Sequence, residues 1–220
     1  MVLRLYVMVG APGAGKGTQA AILARHLGLP HVASGELFRS AVRQDTPLGR
    51  QAAADMARGA LVSDDIVISL VLERLARPDA AAGAILDGFP RTRPQAEALD
   101  AALARRGARV AGALYVGVGE GELLRRLSGR WLCRAEGHTY HALDHPPARP
   151  GICDLDGSEL YQRDDDRPAT VRSRLERQLA PMYDVVDHYT QRGVLTAVDG
   201  EQSIEAVTQA LLRAIAAAAG

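Results

Sequence analysis

Short apolar runs alternate along the chain with longer stretches whose apolar residues recur at helical spacing. The runs Leu3–Val9 and Ala113–Val118 are apolar on both faces, as in parallel strands that helices cover on both sides. This alternation predicts an α/β fold with three layers, in which helices flank a central, parallel, five-stranded sheet. The predicted strands are Leu3–Val9, His31–Ala33, Ala84–Asp87, Arg109–Val118 and Val194–Val198.

Residues that favour helix ends stand at the borders of the helical stretches. Gly28 and Gly107 each follow a stretch, where a left-handed residue closes a helix, and Pro94 suits a first turn. The predicted helices are Gly15–Leu27, Glu36–Arg43, Leu48–Arg58, Asp64–Arg77, Pro94–Arg106, Glu120–Leu127, Pro168–Arg192 and Ser203–Ala218.

Two segments interrupt the alternation. Residues 33–62 contain successive helical stretches, with no predicted strand after His31–Ala33. Residues 129–167 are polar and rich in turn residues. A connection as long as the second inside a compact domain is usually a functional lid. We therefore predict a single domain over residues 1–220, with two insertions that fold over the ends of the sheet.

Composition narrows the classes of partner. Lys and Arg number 26 and Asp and Glu also number 26, so no global field attracts nucleic acid or an anionic membrane surface. No apolar run approaches the length needed to cross a bilayer, and two cysteines do not form a disulfide framework. We expect a cytoplasmic protein without nucleic-acid or membrane partners.

A glycine-rich segment, Gly10–Thr18, joins the first predicted strand to the first predicted helix. Glycines let successive N–H groups face one concavity, and the helix start adds further free N–H groups, so this segment suits a phosphate. Lys16 is the only lysine of the chain, and it would reach the outer phosphates of a nucleotide as a compact charge. The alternative is a plain turn, but the whole spacing of a phosphate-binding loop is present between strand and helix.

A second motif, Asp87-Gly88-Phe89-Pro90-Arg91, directly follows a predicted strand. Sites in open parallel sheets lie at the carboxyl ends of the strands, so this turn should face the glycine-rich segment. Asp87 is then placed to hold magnesium through water, and Arg91 to bind a phosphate with its guanidinium fork. Taken alone, such a turn is more often a plain connection with an exposed arginine.

Further arginines stand at positions that should converge on the same cleft. A surface arginine is normally a solvated charge, but phosphoryl transfer needs several fixed positive charges around the transferred group. A mobile lid that carries arginines would bring those charges in and exclude water on closing. The arginines are Arg39, Arg126, Arg130, Arg163 and Arg174.

Five segments together resemble one known family: Gly10–Gln19, Ser34–Arg39, Leu61–Asp64, Asp87–Thr92 and Gln162–Asp166. The chain is similar, nearly from end to end, to adenylate kinases of the long-lid bacterial type, in which a glycine and a threonine also follow the lysine. The resemblance implies a P-loop kinase domain with an AMP-binding insertion at residues 33–62 and a lid at residues 129–167. It also implies reversible phosphoryl transfer from ATP, with Mg²⁺, to AMP, which gives two ADP.

The resemblance assigns roles to individual positions. It implies that the lysine serves the transferred phosphate, and that the catalytic set is Lys16, Asp87, Arg91, Arg130, Arg163 and Arg174. The implied ATP-binding residues are Gly13, Ala14, Gly15, Lys16, Gly17, Thr18, Arg126, Arg130, Thr139, Tyr140 and Gln202. The implied AMP-binding residues are Ser34, Arg39, Ala60, Leu61, Val62, Gly88, Phe89, Pro90, Arg91, Gln95, Arg163 and Arg174.

The lid also contains four residues that suit zinc: Cys133, His138, Cys153 and Asp156. Many long-lid relatives hold a structural zinc ion with cysteine pairs at this place, and the resemblance implies the same here with two cysteines replaced. Glu136 occupies the second position by alignment, whereas His138 is the better zinc ligand. The alternative is a metal-free lid held by hydrogen bonds.

Two other functions compete with an adenylate kinase. One is a kinase for another nucleoside monophosphate, such as UMP or CMP, and the other is a switch that holds ATP and AMP without turnover. The long lid argues against the first, and the set of arginines argues against the second. We expect ATP, AMP and ADP as ligands and a monomeric protein.

Overall fold

The computed structural model describes residues 3–46, 49–50, 53 and 61–219. In this part of the chain, the central sheet has five parallel strands in the order β2-β3-β1-β4-β8. Helices flank the sheet, so the predicted α/β fold is confirmed. The strands of this sheet are β1 Arg4–Val9, β2 His31–Ala33, β3 Gly83–Asp87, β4 Val110–Gly117 and β8 Leu195–Asp199.

The helices lie close to their predicted positions. Two short 3₁₀ segments, Pro78–Ala80 and Asp164–Asp166, accompany them, whereas the predicted helix Leu48–Arg58 lies largely outside the described residues. None of the described helices has the length and apolar character needed to cross a membrane. The helices are α1 Lys16–Leu27, α2 Ser34–Arg43, α3 Asp64–Leu75, α4 Arg93–Ala104, α5 Glu120–Ser128, α6 Pro168–Gln191 and α7 Ile204–Ala219.

Strand register brings the two main motifs together. Strand β1 is buried from Leu5 to Val9, and it pairs with β3 so that Met8 lies opposite Asp87. Strand β2 pairs with β3 on its other side and places Ala33 opposite the same aspartate. The carboxyl ends of three adjacent strands therefore deliver the glycine-rich loop, the first insertion and Asp87 to one edge.

The lid forms a second, smaller sheet that the sequence analysis does not predict. Its three antiparallel strands, in the order β6-β5-β7, are β5 Arg130–Cys133, β6 Thr139–His141 and β7 Leu160–Tyr161. Strands of two to four residues are too short to show the alternation by which strands are recognised. A small separate core lies under this sheet and consists of Cys133, Tyr140, Cys153 and Leu160.

Candidate active site

A cleft of about 1260 Å³ opens at the carboxyl end of the central sheet. It is larger than the roughly 300–1,000 Å³ of a typical small-molecule pocket, so it has room for more than one ligand of that size. The cleft brings the two insertions and the two loop motifs together. The predicted residues that line it are Gly13, Ala14, Gly15, Lys16, Gly17, Thr18, Ser34, Arg39, Leu61, Val62, Asp87, Gly88, Pro90, Arg91, Gln95, Arg126, Arg130, Thr139, Tyr140, Arg163, Arg174 and Gln202.

Two of the predicted nucleotide-binding residues are not among those that line the cleft. Phe89 is only 1% exposed and packs in the main hydrophobic core. Its side chain therefore anchors the turn from below instead of facing the cleft, since a fully buried phenyl ring contributes to packing. Ala60 lies outside the described residues.

The glycine-rich loop holds its lysine in a buried position. Gly15 has a φ of 88° directly before α1, a left-handed conformation that favours glycine. The Lys16 Nζ donates a hydrogen bond to the carbonyl oxygen of Ala11 at 2.9 Å. Burial lowers the pKa of Lys16 to about 8, and the positive charges of Arg91 and Arg174 act in the same direction, against the opposing effect of Asp87. An anionic ligand at this place would restore the full charge of the ammonium group.

Asp87 lies against the loop at the end of β3. A Cβ atom on Gly17 would come within 3.3 Å of its Oδ2, so the carboxylate closely approaches the backbone of the loop. His31, which the sequence analysis leaves without a role, places its Nε2 3.4 Å from the same oxygen. Burial raises the pKa of Asp87, but the contact with His31 and the charge of Lys16 outweigh burial, and the pKa is lowered overall.

The carbonyl of Gly88 joins the first insertion to the second motif. It accepts hydrogen bonds from Ser34 Oγ at 2.6 Å and from Arg91 Nε at 2.7 Å. Gly88 itself has a φ of 72°, and a Cβ atom there would lie 2.8 Å from Arg91 Nη2. Burial lowers the pKa of Arg91 to about 10, and the nearby Arg174 contributes. The turn thus fixes a desolvated guanidinium beside the phosphate-binding loop.

Asp166 orients two of the predicted catalytic arginines. It is fully buried, and it accepts hydrogen bonds from Arg130 Nε at 2.8 Å and Nη2 at 2.6 Å. Arg174 Nη1 donates to the same carboxylate at 2.8 Å and lies 3.1 Å from an Asp165 oxygen. The sequence analysis identifies both arginines but gives Asp166 no role.

The charges of the cleft are unbalanced in favour of cations. Burial lowers the pKa of Arg163 to about 10, and the nearby positive charges of Arg39 and Arg130 add to this effect. Burial also lowers the pKa of Arg174. Desolvated cations that repel one another bind a polyanion strongly, because the anion offsets both the repulsion and the loss of hydration.

Acidic residues hold two of the polar side chains that are predicted to lie near the ATP base. Arg126 Nε donates to Glu122 Oε1 at 2.7 Å, and Gln202 Nε2 donates to Asp199 Oδ2 at 3.2 Å. Glu122 also accepts from Arg125, and these two arginines hold its pKa below the usual range against the opposing effect of burial. Neither acidic partner is identified from the sequence.

Four potential metal ligands converge in the lid. One ligand atom each from Cys133, His138, Cys153 and Asp156 lies within 4.8 Å of the other three. Asp156 Oδ2 lies 2.9 Å from Cys133 Sγ and 3.2 Å from His138 Nδ1. Ligand atoms around tetrahedral zinc stand about 3.3–3.8 Å apart, so the four donors need only small shifts to bind one ion.

The surroundings of this cluster separate the two candidates for the second ligand. Glu136 points no carboxylate into the cluster and instead donates its backbone N–H to Cys133 Sγ at 3.3 Å. His138 lies 3.4 Å from Cys153 Sγ. The structure therefore places the histidine, and not the glutamate, with the other three donors. Neighbouring hydroxyl groups also contact the thiols: Ser158 Oγ lies 3.1 Å from Cys133 Sγ and Tyr140 Oη 3.4 Å from Cys153 Sγ.

A phosphate-binding loop on a parallel sheet, with arginines from two insertions around it, defines the class of P-loop phosphotransferases. Comparison with known proteins then identifies the family. A sequence model of adenylate kinase matches residues 8–194, and the chain belongs to the adenylate kinase family.

Bacterial adenylate kinases are similar to the chain over almost its whole length. That of Lysinibacillus sphaericus is 49% identical over 201 residues, which cover 91% of this chain and 93% of the relative. That of Moorella thermoacetica is 49% identical over 212 residues, or 95% and 96% of the two chains. That of Carboxydothermus hydrogenoformans is 46% identical over 213 residues, or 97% and 99%.

Proposed function

We propose that this protein catalyses the reversible transfer of a phosphoryl group from MgATP to AMP, with two ADP as products. The observation that carries the proposal is a continuous cleft of about 1260 Å³ lined by the phosphate-binding loop, by residues of both insertions and by the turn after β3. The buried cations Lys16, Arg91, Arg163 and Arg174 line this same cleft. Membership of the adenylate kinase family supports the same reaction.

In this proposal, the loop from Gly13 to Thr18 binds the ATP phosphates, and Lys16 contacts the phosphoryl group during its transfer. The base of ATP lies between Arg126 and Gln202, near Thr139 and Tyr140 of the lid. These side chains line the same cleft as the loop. Glu122 and Asp199 keep the side chains of Arg126 and Gln202 in fixed orientations, which reduces the entropy lost on binding.

The acceptor nucleotide, AMP, binds in the same cleft on the other side of the transferred phosphoryl group. Ser34, Leu61 and Val62 form the wall of its pocket, and Gln95 faces its base. Its phosphate binds Arg39 and Arg91. Because Gly88 holds both the hydroxyl of Ser34 and the Nε of Arg91, the wall and the phosphate-binding arginine form one unit.

The remaining arginines act mainly on the transition state, in which negative charge spreads over the oxygens of the transferred group. Arg130 and Arg174 share the carboxylate of Asp166, so their positions relative to each other are fixed before substrate binds. Arg163 adds a third desolvated cation from the lid. Preorganised charges of this kind need no reorientation during the reaction.

Asp87 is the residue that would bind Mg²⁺, and its buried carboxylate with a lowered pKa is an oxygen ligand of the type that the ion prefers. When bound, Mg²⁺ neutralises charge on the transferred phosphates. The contact with His31 holds this carboxylate in place at the edge of the loop.

The test is a coupled assay with MgATP and each of AMP, GMP, UMP and CMP. We expect turnover with AMP to exceed turnover with the pyrimidine nucleotides by at least roughly 100-fold, since a purine fills the pocket. A preference for UMP or CMP would show the alternative kinase activity. Binding of both ATP and AMP without turnover would show a switch.

We further propose that the lid binds one structural zinc ion through Cys133, His138, Cys153 and Asp156. The convergence of two thiols, an imidazole and a carboxylate supports this, because the set suits a closed tetrahedral site. Burial and Asp156 raise the pKa of Cys133, but hydrogen bonds from Ser158 and from backbone N–H groups outweigh them and lower it to about 7, which favours the thiolate form that binds metal.

We also propose that the protein works as a cytoplasmic monomer. All the residues of the proposed site come from one chain of 23.4 kDa, so catalysis needs no second copy. Both cysteines are free thiols, which suits a reducing compartment. Size-exclusion chromatography with light scattering should give the mass of a single chain.

A further inference from the structure

The side-chain amide of Gln95 is held at both ends although it lines the cleft. Gln95 is 1% exposed, and its Oε1 accepts a hydrogen bond from the Arg91 backbone N–H at 2.8 Å. Its Nε2 donates to Oδ1 of Asp64 at 2.6 Å. The other oxygen of Asp64 accepts from Thr92 Oγ1 at 3.0 Å. Asp64, at the start of α3, is thereby fixed to the start of α4.

The chemistry of these partners permits only one orientation of the amide. A carboxylate accepts hydrogen bonds and a backbone N–H donates them. An amide flipped by half a turn would oppose two acceptors at Asp64 and two donors at the Arg91 backbone. Asp64 and the Arg91 backbone N–H together keep the NH₂ group of Gln95 on one side and its carbonyl on the other.

The locked amide retains one N–H and one carbonyl lone pair for a ligand. Adenine offers a donor, its 6-amino group, beside an acceptor, N1, and this order matches a glutamine amide. A 6-oxopurine offers the reverse order, an acceptor at position 6 beside a donor at N1. An amide that is free to flip can pair with either base, whereas a locked amide pairs with only one.

We propose that Asp64 is a positioning residue that makes the second nucleotide site select 6-aminopurines over 6-oxopurines, by fixing the orientation of the Gln95 amide. The proposal rests on the proposed function, because it requires that Gln95 faces the base of the acceptor nucleotide. Asp64 acts through Gln95, with which its Oδ1 is in direct contact.

The test compares AMP with inosine monophosphate, which differs from AMP only by the 6-oxo group and the proton on N1. Asp64→Asn keeps the size of the side chain but offers an amide that can pair with either orientation of Gln95. Asp64→Ser removes the carboxylate in a second way, with a small polar side chain, next to the N-cap residue Ser63. Asp65→Asn is the matched control, since Asp65 is exposed in the same first turn of α3.

We expect the ratio of kcat/KM for AMP to kcat/KM for inosine monophosphate to fall by roughly tenfold in both Asp64 variants. The KM for MgATP should stay within about twofold of the parent value, because no ATP-side residue is altered. Asp65→Asn should leave the ratio unchanged. Thermal unfolding of each variant identifies any loss of fold, and such a loss lowers both activities without changing their ratio.

An unchanged ratio in Asp64→Asn and Asp64→Ser, with the parent active on AMP, would overturn the role of Asp64 and leave the proposed function intact. An equal fall in Asp65→Asn would assign the effect to charge at the helix start, which also overturns it. A parent protein that does not phosphorylate AMP would instead refute the proposed function, and the inference with it.

Discussion

Lys16 should reduce the stability of the nucleotide-free protein while it enables activity. Its pKa is about 8 in the folded protein, against 10.5 for an ordinary lysine. A difference of this size corresponds to roughly 3 kcal/mol by which folding disfavours the charged amine. We expect Lys16→Met, which is one heavy atom shorter but keeps the unbranched side chain, to remove this penalty.

The net gain should be smaller than the full penalty. The variant loses the hydrogen bond from Nζ to Ala11, which is worth roughly 1 kcal/mol. The carbonyl of Ala11 nevertheless still accepts from the N–H of Ala14 at 3.1 Å, so no buried acceptor is left without a partner. A gain of about 2 kcal/mol remains, which raises the Tm of a chain of this size by roughly 4–8 °C.

The pH dependence of the stability gain distinguishes the removal of a buried charge from better packing of the methionine side chain. The folded protein releases the Lys16 proton near pH 8, whereas the unfolded chain keeps it to about pH 10.5. The unfolded state therefore binds more protons between these values, and the stability contributed by this site rises with pH across that window. The advantage of Lys16→Met over the parent should thus be full at pH 7 and smaller by about 2 kcal/mol at pH 9.5.

Thermal unfolding at the two pH values, without nucleotide, measures the difference. Since Lys16 is the only lysine, a lysine-labelled sample gives a single side-chain resonance whose titration reports the pKa directly. MgATP should move that titration to higher pH, and the variant should lose at least roughly 100-fold in kcat. A titration near pH 10.5 without nucleotide, or a variant that is not more stable at pH 7, would refute the reasoning.

Three further predictions concern the arginines and the lid. Arg174→Ala should lower kcat by roughly 100-fold with a smaller change in the KM for AMP, which steady-state kinetics will measure. A change in KM alone would assign Arg174 to ground-state binding. Asp166→Asn should lower the free energy of unfolding by about 3 kcal/mol and kcat by at least roughly tenfold, because two buried guanidiniums lose a shared carboxylate. Asp164→Asn is the matched control, because the carboxylate of Asp164 is 71% exposed. Denaturation and rate measurements should show no change in its free energy of unfolding or its kcat. Metal analysis should find about one zinc per chain, lost in His138→Ala and kept in Glu136→Ala; the reverse pattern would overturn the ligand choice.

The parts of the fold and site that the sequence predicts are those with local signals. Strand β1 is a continuous apolar run, and the loop after it carries glycines where the backbone needs a left-handed residue, as at Gly15 with its φ of 88°. The meeting of this loop with the turn after β3 then follows from the rule that sites lie at the carboxyl edge of a parallel sheet. For these features, each residue type is required by the conformation of its own segment.

The residues that hold the charged side chains of the site could not be predicted in this way, because their roles depend on tertiary contacts. Asp164, Asp165 and Asp166 are adjacent and chemically identical, yet their side chains are 71%, 22% and 0% exposed. Only the fold decides that the last of the three lies between two arginines. The same holds for His31, whose contact with Asp87 crosses from one strand to the next. A sequence pattern identifies the cations of the site but not the residues that hold them.

These partners explain how the chain keeps so many cations in one cleft. Asp166 compensates for two guanidiniums, and Glu122 holds a third, that of Arg126. Lys16 and Arg91 have a lowered pKa because burial outweighs the nearby carboxylate of Asp87. The lid and core arginines are thus positioned by protein carboxylates, whereas the charges at the loop are left for phosphate to neutralise. Ligand binding should therefore stabilise the region around the loop more than the region around Asp166.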